Sequence, residues 1–147
     1  MKHGRLKRNI SSFLIGILVM LVIFILKITP AKINNYTDVM SGILSLSSIT
    51  TGLLFASFSL IPTLPNSGLL KSLKRLNTDK KFLDRLLLSI FSFLMCSVFA
   101  LGALFFNEKD TSFLSIIIIA ITGGTLSFSL TEQFEVLRIL MKALEKM

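Results

Sequence analysis

Few residues in this chain are of the types that do chemistry. Its 147 residues include one histidine, His3, and one cysteine, Cys96. A Ser–His–Asp set needs its histidine within hydrogen-bond reach of the nucleophile, and His3 lies in a basic head, far along the chain from the apolar segments. One cysteine cannot form an intramolecular disulfide, and no spacing typical of zinc, haem or nucleotide phosphate occurs. The sequence therefore predicts a protein that is not an enzyme and binds no cofactor.

The carboxylates are the remaining candidates for chemistry. Asp79 and Asp84, and likewise Glu132 and Glu135, lie close together along the chain and are interpreted as solvated charges at helix ends. Proton relays and ion-coupled transporters carry ionisable residues inside their membrane spans, whereas the central parts of the apolar segments contain none. Ion-coupled transport and charge-based voltage sensing are therefore not expected.

The composition indicates a membrane protein. Hydrophobic residues make up 52% and charged residues 16%, with a mean hydropathy of +0.78, whereas soluble domains carry about 25% charged residues. Four nearly charge-free runs are each close to the roughly 20 residues that cross a bilayer as a helix. We expect an all-α polytopic membrane protein with one domain, residues 1–147, and four transmembrane helices at about 10–28, 39–61, 82–106 and 111–131.

Lys and Arg are distributed unequally around these runs. Of the 16, three lie at the end of the first run or in the short loops after the first and third runs: Lys27, Lys32 and Lys109. The others lie in the N-terminal head, in the tail, and in the central loop carried to the start of the third run. The side richer in Lys and Arg is usually cytoplasmic. We therefore expect both termini in the cytoplasm and the protein in a bacterial inner membrane. The net charge of +8 is expected to reflect this topology and contacts with lipid, with no direct binding of nucleic acid.

Small and hydroxyl-bearing residues form a stripe along the second run, repeating every three or four residues: Ser41, Ser45, Ser48, Gly52, Ala56 and Ser59. The third run has a similar stripe, and the fourth contains Thr122 and Ser129. Small residues let membrane helices approach closely, and hydroxyls can bond across the interface. We expect runs two to four to share the packed interior, with the apolar first run at the lipid-facing rim. The alternative is that these faces line an aqueous path, either within the subunit or at the axis of an oligomer.

Two amphipathic segments adjoin the runs. Residues 68–76 place leucines on one face and Lys71, Lys74 and Arg75 on the other, which predicts a helix lying in the membrane interface. We expect the basic side chains of this helix, together with Lys80 and Lys81, to contact anionic lipid headgroups. The alternative is that they serve only to fix the topology.

The fourth run ends without a helix breaker, so we expect one helix from about Ser112 through a cytoplasmic tail, 132–147. The tail repeats apolar residues at three-four spacing, among charges that include Arg138. This face is expected to contact the start of the third run, another subunit or a cytoplasmic protein through Phe134, Leu137, Arg138, Met141 and Leu144.

The layout of the chain resembles that of small bacterial four-span membrane proteins. The resemblance is carried by residues 51–67, TGLLFASFSLIPTLPNS, which lead into a Leu- and Lys-rich stretch at 69–76. Some such proteins are encoded in antiphage defence operons beside a cytoplasmic partner, and the membrane component of Kiwa-type systems is of this build. The resemblance covers about residues 40–105 and implies architecture, with no functional residue carried over.

Two functions of different class follow. The first is a homo-oligomeric inner-membrane protein that permeabilises the membrane as an effector or channel-like component, with antiphage defence as the setting that the resemblance implies. The alternative is a membrane sensor or anchor that recruits a cytoplasmic partner protein. Passive transport of a small solute is a third hypothesis.

Overall fold

The computed structural model describes residues 10–60 and 79–145 and is all-helical over these ranges. Its helices are α1 (Ile10–Ile25), α2 (Tyr36–Leu60), α3 (Asp79–Ala103) and α4 (Phe113–Leu144), with a short 3-10 turn at Pro30–Lys32. The predicted all-α fold is confirmed. The predicted interfacial helix, with Lys71, Lys74 and Arg75, lies outside the described residues, and Lys80 and Lys81 fall in the first turn of α3.

Three helices are long and apolar enough to cross a membrane: Tyr36–Ser59, Phe82–Ala103 and Phe113–Lys142. These three correspond to the second, third and fourth expected spans. The first expected span is not confirmed over the described residues, because α1 has 16 residues there and a length of about 24 Å, short of the roughly 30 Å hydrocarbon core. Two residues after the end of α1, Lys27 has a φ of 47°, which turns the chain away from the helix. The Lys27 N–H donates to the Phe24 carbonyl and the Ile28 N–H donates to the Ile23 carbonyl. This pattern satisfies the last carbonyls of a helix.

The helices pack in the order α2, α3, α4, α1, so that α3 and α4 each have two close neighbours. By contrast, α1 and α2 each pack closely on one helix. Most of α1 is exposed, with only Ser12 and Gly16 buried. An apolar helix exposed on most faces is suited to lipid, in agreement with the expected position of the first run at the rim.

Two clusters of buried apolar residues pack the helices together. One contains Phe82, Leu86, Ile90 and Val136 of α3 and α4. The other contains Tyr36, Met40, Ala103 and Ile119, from α2, α3 and α4. Within it the Tyr36 hydroxyl donates to the Ala103 carbonyl oxygen at 2.7 Å. The same carbonyl, at the end of α3, also accepts from the Phe106 N–H at 3.1 Å.

The fourth helix is the longest, with 32 residues and a length of about 48 Å. It begins after Ser112, whose hydroxyl accepts a hydrogen bond from the Ser115 N–H at 3.3 Å, an N-cap. It continues without interruption to Leu144, as the absence of a breaker predicts. Since about 20 residues cross the hydrocarbon core, the C-terminal part of α4 extends beyond it.

Candidate functional site

The small-residue stripe of α2 faces outward. Ser41 is partly buried, and the rest of the stripe, which we call the α2 outer face, is exposed: Ser45, Ser48, Gly52, Ala56 and Ser59. A Cβ atom built on Gly52 meets no atom within 4 Å. The expectation that this stripe packs in the interior of the chain is therefore wrong.

The rotation of α2 follows from the sizes of its side chains. Its single close neighbour is α3, and the face turned inward carries buried Tyr36 and Met40 and partly buried Leu54 and Phe58. Large side chains make more dispersion contacts than serine or glycine when they are packed. Tyr36, Met40, Leu54 and Phe58 therefore occupy the one close helix interface that a single copy offers, and the stripe of small residues is left outside.

The α2 outer face carries hydroxyl groups of two kinds. The Ser59 hydroxyl donates to the Phe55 carbonyl of its own helix at 2.9 Å. Ser45 and Ser48 make no hydrogen bond within the described ranges of the chain. Their hydroxyls are available to water or to a second helix, both of which are better partners than lipid tails.

A hydroxyl, a thiol and a carbonyl join α2, α3 and α4 in the middle of the bundle. The Ser47 hydroxyl donates to the Cys96 sulfur at 3.4 Å, and the Cys96 thiol donates to the Thr122 carbonyl oxygen at 3.9 Å. All three residues are fully buried. Ser47, which is outside the stripe, is therefore the serine that α2 contributes to the interior.

Thr122 and Ser129 lie inside the bundle and bond back to their own helix. The Thr122 hydroxyl donates to the Ile118 carbonyl at 2.8 Å, and the Ser129 hydroxyl donates to the Thr125 carbonyl at 2.7 Å. Both residues are 0% exposed. Within one chain these two residues are therefore buried between helices.

Glycines bring α1 and α4 into contact at the backbone. A Cβ built on Gly16 would lie 3.0 Å from the Gly124 carbonyl oxygen, and one on Gly124 would lie 3.0 Å from the Gly16 carbonyl oxygen. A Cβ on Gly123 would overlap the Ile23 side chain. These glycines thus provide the close approach that small residues permit between membrane helices.

A charged cluster lies between α3 and α4. Glu132 is 0% exposed and Arg85 is 8% exposed. The Arg85 Nη1 atom lies 3.8 Å from Glu132 Oε2 and 3.3 Å from Glu135 Oε2. The interpretation of Glu132 as a solvated helix-end charge is therefore wrong, whereas Glu135 is partly exposed and also lies 3.8 Å from the exposed Arg138.

The sequence contains a signal for this cluster. Glu132 lies at three-four spacing between Ser129 and Val136, both of which are buried, and Arg85 lies between buried Phe82 and Ser89 in the same way. An ionisable residue on the apolar stripe of each of two helices predicts a buried pair. Neither oxygen of Glu132 accepts a hydrogen bond within the described ranges, so Arg85 is the cation that compensates its charge.

The predicted contact face of the tail does not pack on α3. Phe134, Leu137 and Met141 are 71%, 47% and 68% exposed, and the side chain of Arg138 is 68% exposed. The contact with the start of α3 is made instead by Val136, Ile139 and Leu140. Leu144 is the last residue of α4, and its side chain is outside the described set. Of the three partners expected for this face, the start of α3 is thus excluded, and another subunit or a cytoplasmic protein remains a prediction.

The described residues thus offer two outward surfaces and one buried charged cluster. The layout resemblance to Kiwa-type membrane components stays an expectation about architecture. Comparison with protein-family models, curated proteins and solved structures finds no match to this chain.

Proposed function

We propose that this chain is a homo-oligomeric membrane protein that permeabilises the bilayer in which it lies. The observation that carries the proposal is the exposure of the α2 outer face. Copies that meet through this face place the Ser45 and Ser48 hydroxyls beside a path for water and small ions.

Small polar residues on an exposed face of a membrane helix need a partner other than lipid. Lipid tails offer no hydrogen bond to Ser45 or Ser48, and Gly52 leaves open space above the helix. Small residues and hydroxyls are enriched where membrane helices pack or line pores. A second helix or a column of water satisfies this face, and four helices of one copy are too few to enclose such a path.

The cellular setting belongs to the same proposal. The excess of Lys and Arg in the N-terminal head, the central loop and the tail supports cytoplasmic termini. A bacterial inner membrane and a role in antiphage defence are the setting that the layout resemblance implies, with the permeabilising step as the response to infection.

Membrane potential in cells that express this chain alone tests the proposal. We expect the wild type to collapse the signal of a voltage-sensitive dye. The double variant Ser45→Leu/Ser48→Leu should preserve it, because leucines fill the α2 outer face with side chains that repel water.

A matched control adds bulk to exposed positions of α2 outside this face. Leu46 and Leu53 are 49% and 65% exposed, and the variant Leu46→Phe/Leu53→Phe should depolarise cells as the wild type does. Depolarisation by the serine double variant at equal membrane expression contradicts the proposal.

The second candidate function is a membrane anchor that recruits a cytoplasmic protein. Arg138 and Lys142 favour it, because both are exposed on the part of α4 that extends beyond the bilayer. In that case expression alone leaves the membrane potential unchanged. Charge reversal by Arg138→Glu/Lys142→Glu would then release the bound protein from purified membranes.

A further inference from the structure

The C-terminal part of α4 has apolar side chains on two faces, and α3 covers only one of them. Val136, Ile139 and Leu140 belong to the cluster with α3. The other face, which we call the α4 stripe, consists of residues that are 38% to 71% exposed: Leu130, Phe134, Leu137 and Met141.

Lipid does not account for the whole α4 stripe. About 20 residues from Phe113, the start of α4, reach the level of Glu132 at the inner edge of the hydrocarbon core. Met141 is nine residues farther along the chain, about 13 Å beyond that level. The headgroup layer is only about 5–8 Å thick on each side. Met141, which is 68% exposed, therefore projects past the bilayer, where large apolar groups are normally covered by protein.

The spacing of the α4 stripe is that of a coiled-coil seam. Its members follow one another by four, three and four residues, and Leu144 continues the series by three. This repeat of 3.5 residues keeps a seam facing a parallel helix, whereas a single helix face in a globular protein follows 3.6. The stripe is thus patterned for a partner helix that runs alongside α4.

We propose that the α4 stripe pairs with the α4 stripe of a second copy of this chain, as a parallel helix pair. The inference rests on the self-association part of the proposed function and names a second contact between copies. Since the stripe and the α2 outer face are on different helices, two contacts of this kind allow assemblies larger than a dimer.

A second copy fits this surface because the membrane sets its orientation. Copies inserted in the same direction present their α4 helices parallel and at equal depth. In that register Gln133 of one copy faces Arg138 of the other across the seam, so like charges do not meet there. The seam has about two heptads, which is marginal for free helices, but confinement to one membrane raises the effective concentration of the copies.

Cysteine crosslinking in isolated membranes tests the pairing. In a Cys96→Ser background, which leaves no other cysteine in the chain, single cysteines replace Phe134, Leu137 or Met141. We expect copper-phenanthroline to give a covalent dimer of the full chain several-fold faster at these positions than at two controls. Lys142→Cys is exposed beside the stripe, and Ile139→Cys lies on the face toward α3.

A disrupting variant separates pairing from chance collision. Met141→Glu places like charges opposite each other in the seam, and it should abolish dimer formation at Leu137→Cys without reducing membrane expression. Equal crosslinking at stripe and control positions, or a product that contains another protein, overturns the pairing.

The two proposals fail in different ways. If stripe cysteines stay monomeric while Ser45→Cys still gives dimers and cells are still depolarised, the α4 pairing is wrong and the proposed function stands. If stripe cysteines form dimers in cells that keep their membrane potential, the pairing stands and permeabilisation is wrong.

Discussion

At the scale of single residues, the buried ion pair of Arg85 and Glu132 has the largest expected effect on stability. A buried carboxylate that accepts no hydrogen bond from the described residues depends on the guanidinium 3.8 Å away. Breaking a buried ion pair by removing one partner leaves the other charge uncompensated in an apolar environment. The pair therefore fixes the rotation of α4 against α3, and with it the direction in which the α4 stripe faces.

We expect Arg85→Met to destabilise the protein by about 3–5 kcal/mol, because Glu132 is left buried without a cation. The double variant Arg85→Met/Glu132→Met should recover most of this loss, because it removes both charges and keeps the volume of the cluster. Denaturant titration of the purified protein in detergent micelles measures both. Arg138→Met is the control: its side chain is 68% exposed, and such surface pairs contribute little. A double variant that is no more stable than Arg85→Met would contradict this role.

At the scale of elements, the sequence specifies the lengths of the helices better than their faces. The unbroken α4 could be predicted because no proline or glycine follows Gly124. The rotation of α2 could not, because its periodicity defines a small face and a large face equally well. The rule that small residues pack inside assigned the wrong one, since the side chains of Tyr36 and Met40 gain more from the contact with α3.

The sequence pattern does not fully predict the end of α1 or the burial of Glu132, for related reasons. Leucine, lysine and isoleucine at 26–28 continue an apolar or helix-compatible pattern, yet the chain turns at Lys27 in the left-handed region, which lysine rarely adopts. Glu132 lies near the end of an apolar run, and its burial depends on how far the start of α3 extends alongside α4. The spacing of Glu132 between Ser129 and Val136 is a signal for its burial, but the extent of the contact between α3 and α4 is set by tertiary packing that a single run of sequence does not contain.

The contact between α1 and α4 can be tested by adding one methyl group. We expect Gly124→Ala to destabilise the protein by about 1–3 kcal/mol, because overpacking forces a backbone shift where the new Cβ would lie 3.0 Å from the Gly16 carbonyl oxygen. Gly42→Ala is the matched control, because its Cβ would meet no atom within 4 Å, and alanine is favoured over glycine in helices by up to about 1 kcal/mol. Denaturant titration in micelles compares the two. Equal effects of both substitutions would show that α1 does not approach α4 this closely.

At the scale of the whole molecule, one copy leaves two patterned surfaces uncovered. Helices α3 and α4 have close neighbours on two sides, whereas α2 and the C-terminal part of α4 expose faces whose residue types suit protein contact. In a single copy, most of α2 is therefore exposed. In the proposed function, self-association through the α2 outer face gives the Ser45 and Ser48 hydroxyls a partner, and permeabilisation depends on this step.

The most direct test of this claim is ion flux from liposomes that contain the purified chain at a series of protein-to-lipid ratios. If several copies build one path through the α2 outer face, flux rises more steeply than in proportion to the ratio. The variant Ser45→Leu/Ser48→Leu should then stay at the level of protein-free liposomes. Flux that is absent at every ratio, or that is equal for wild type and variant, would contradict the account.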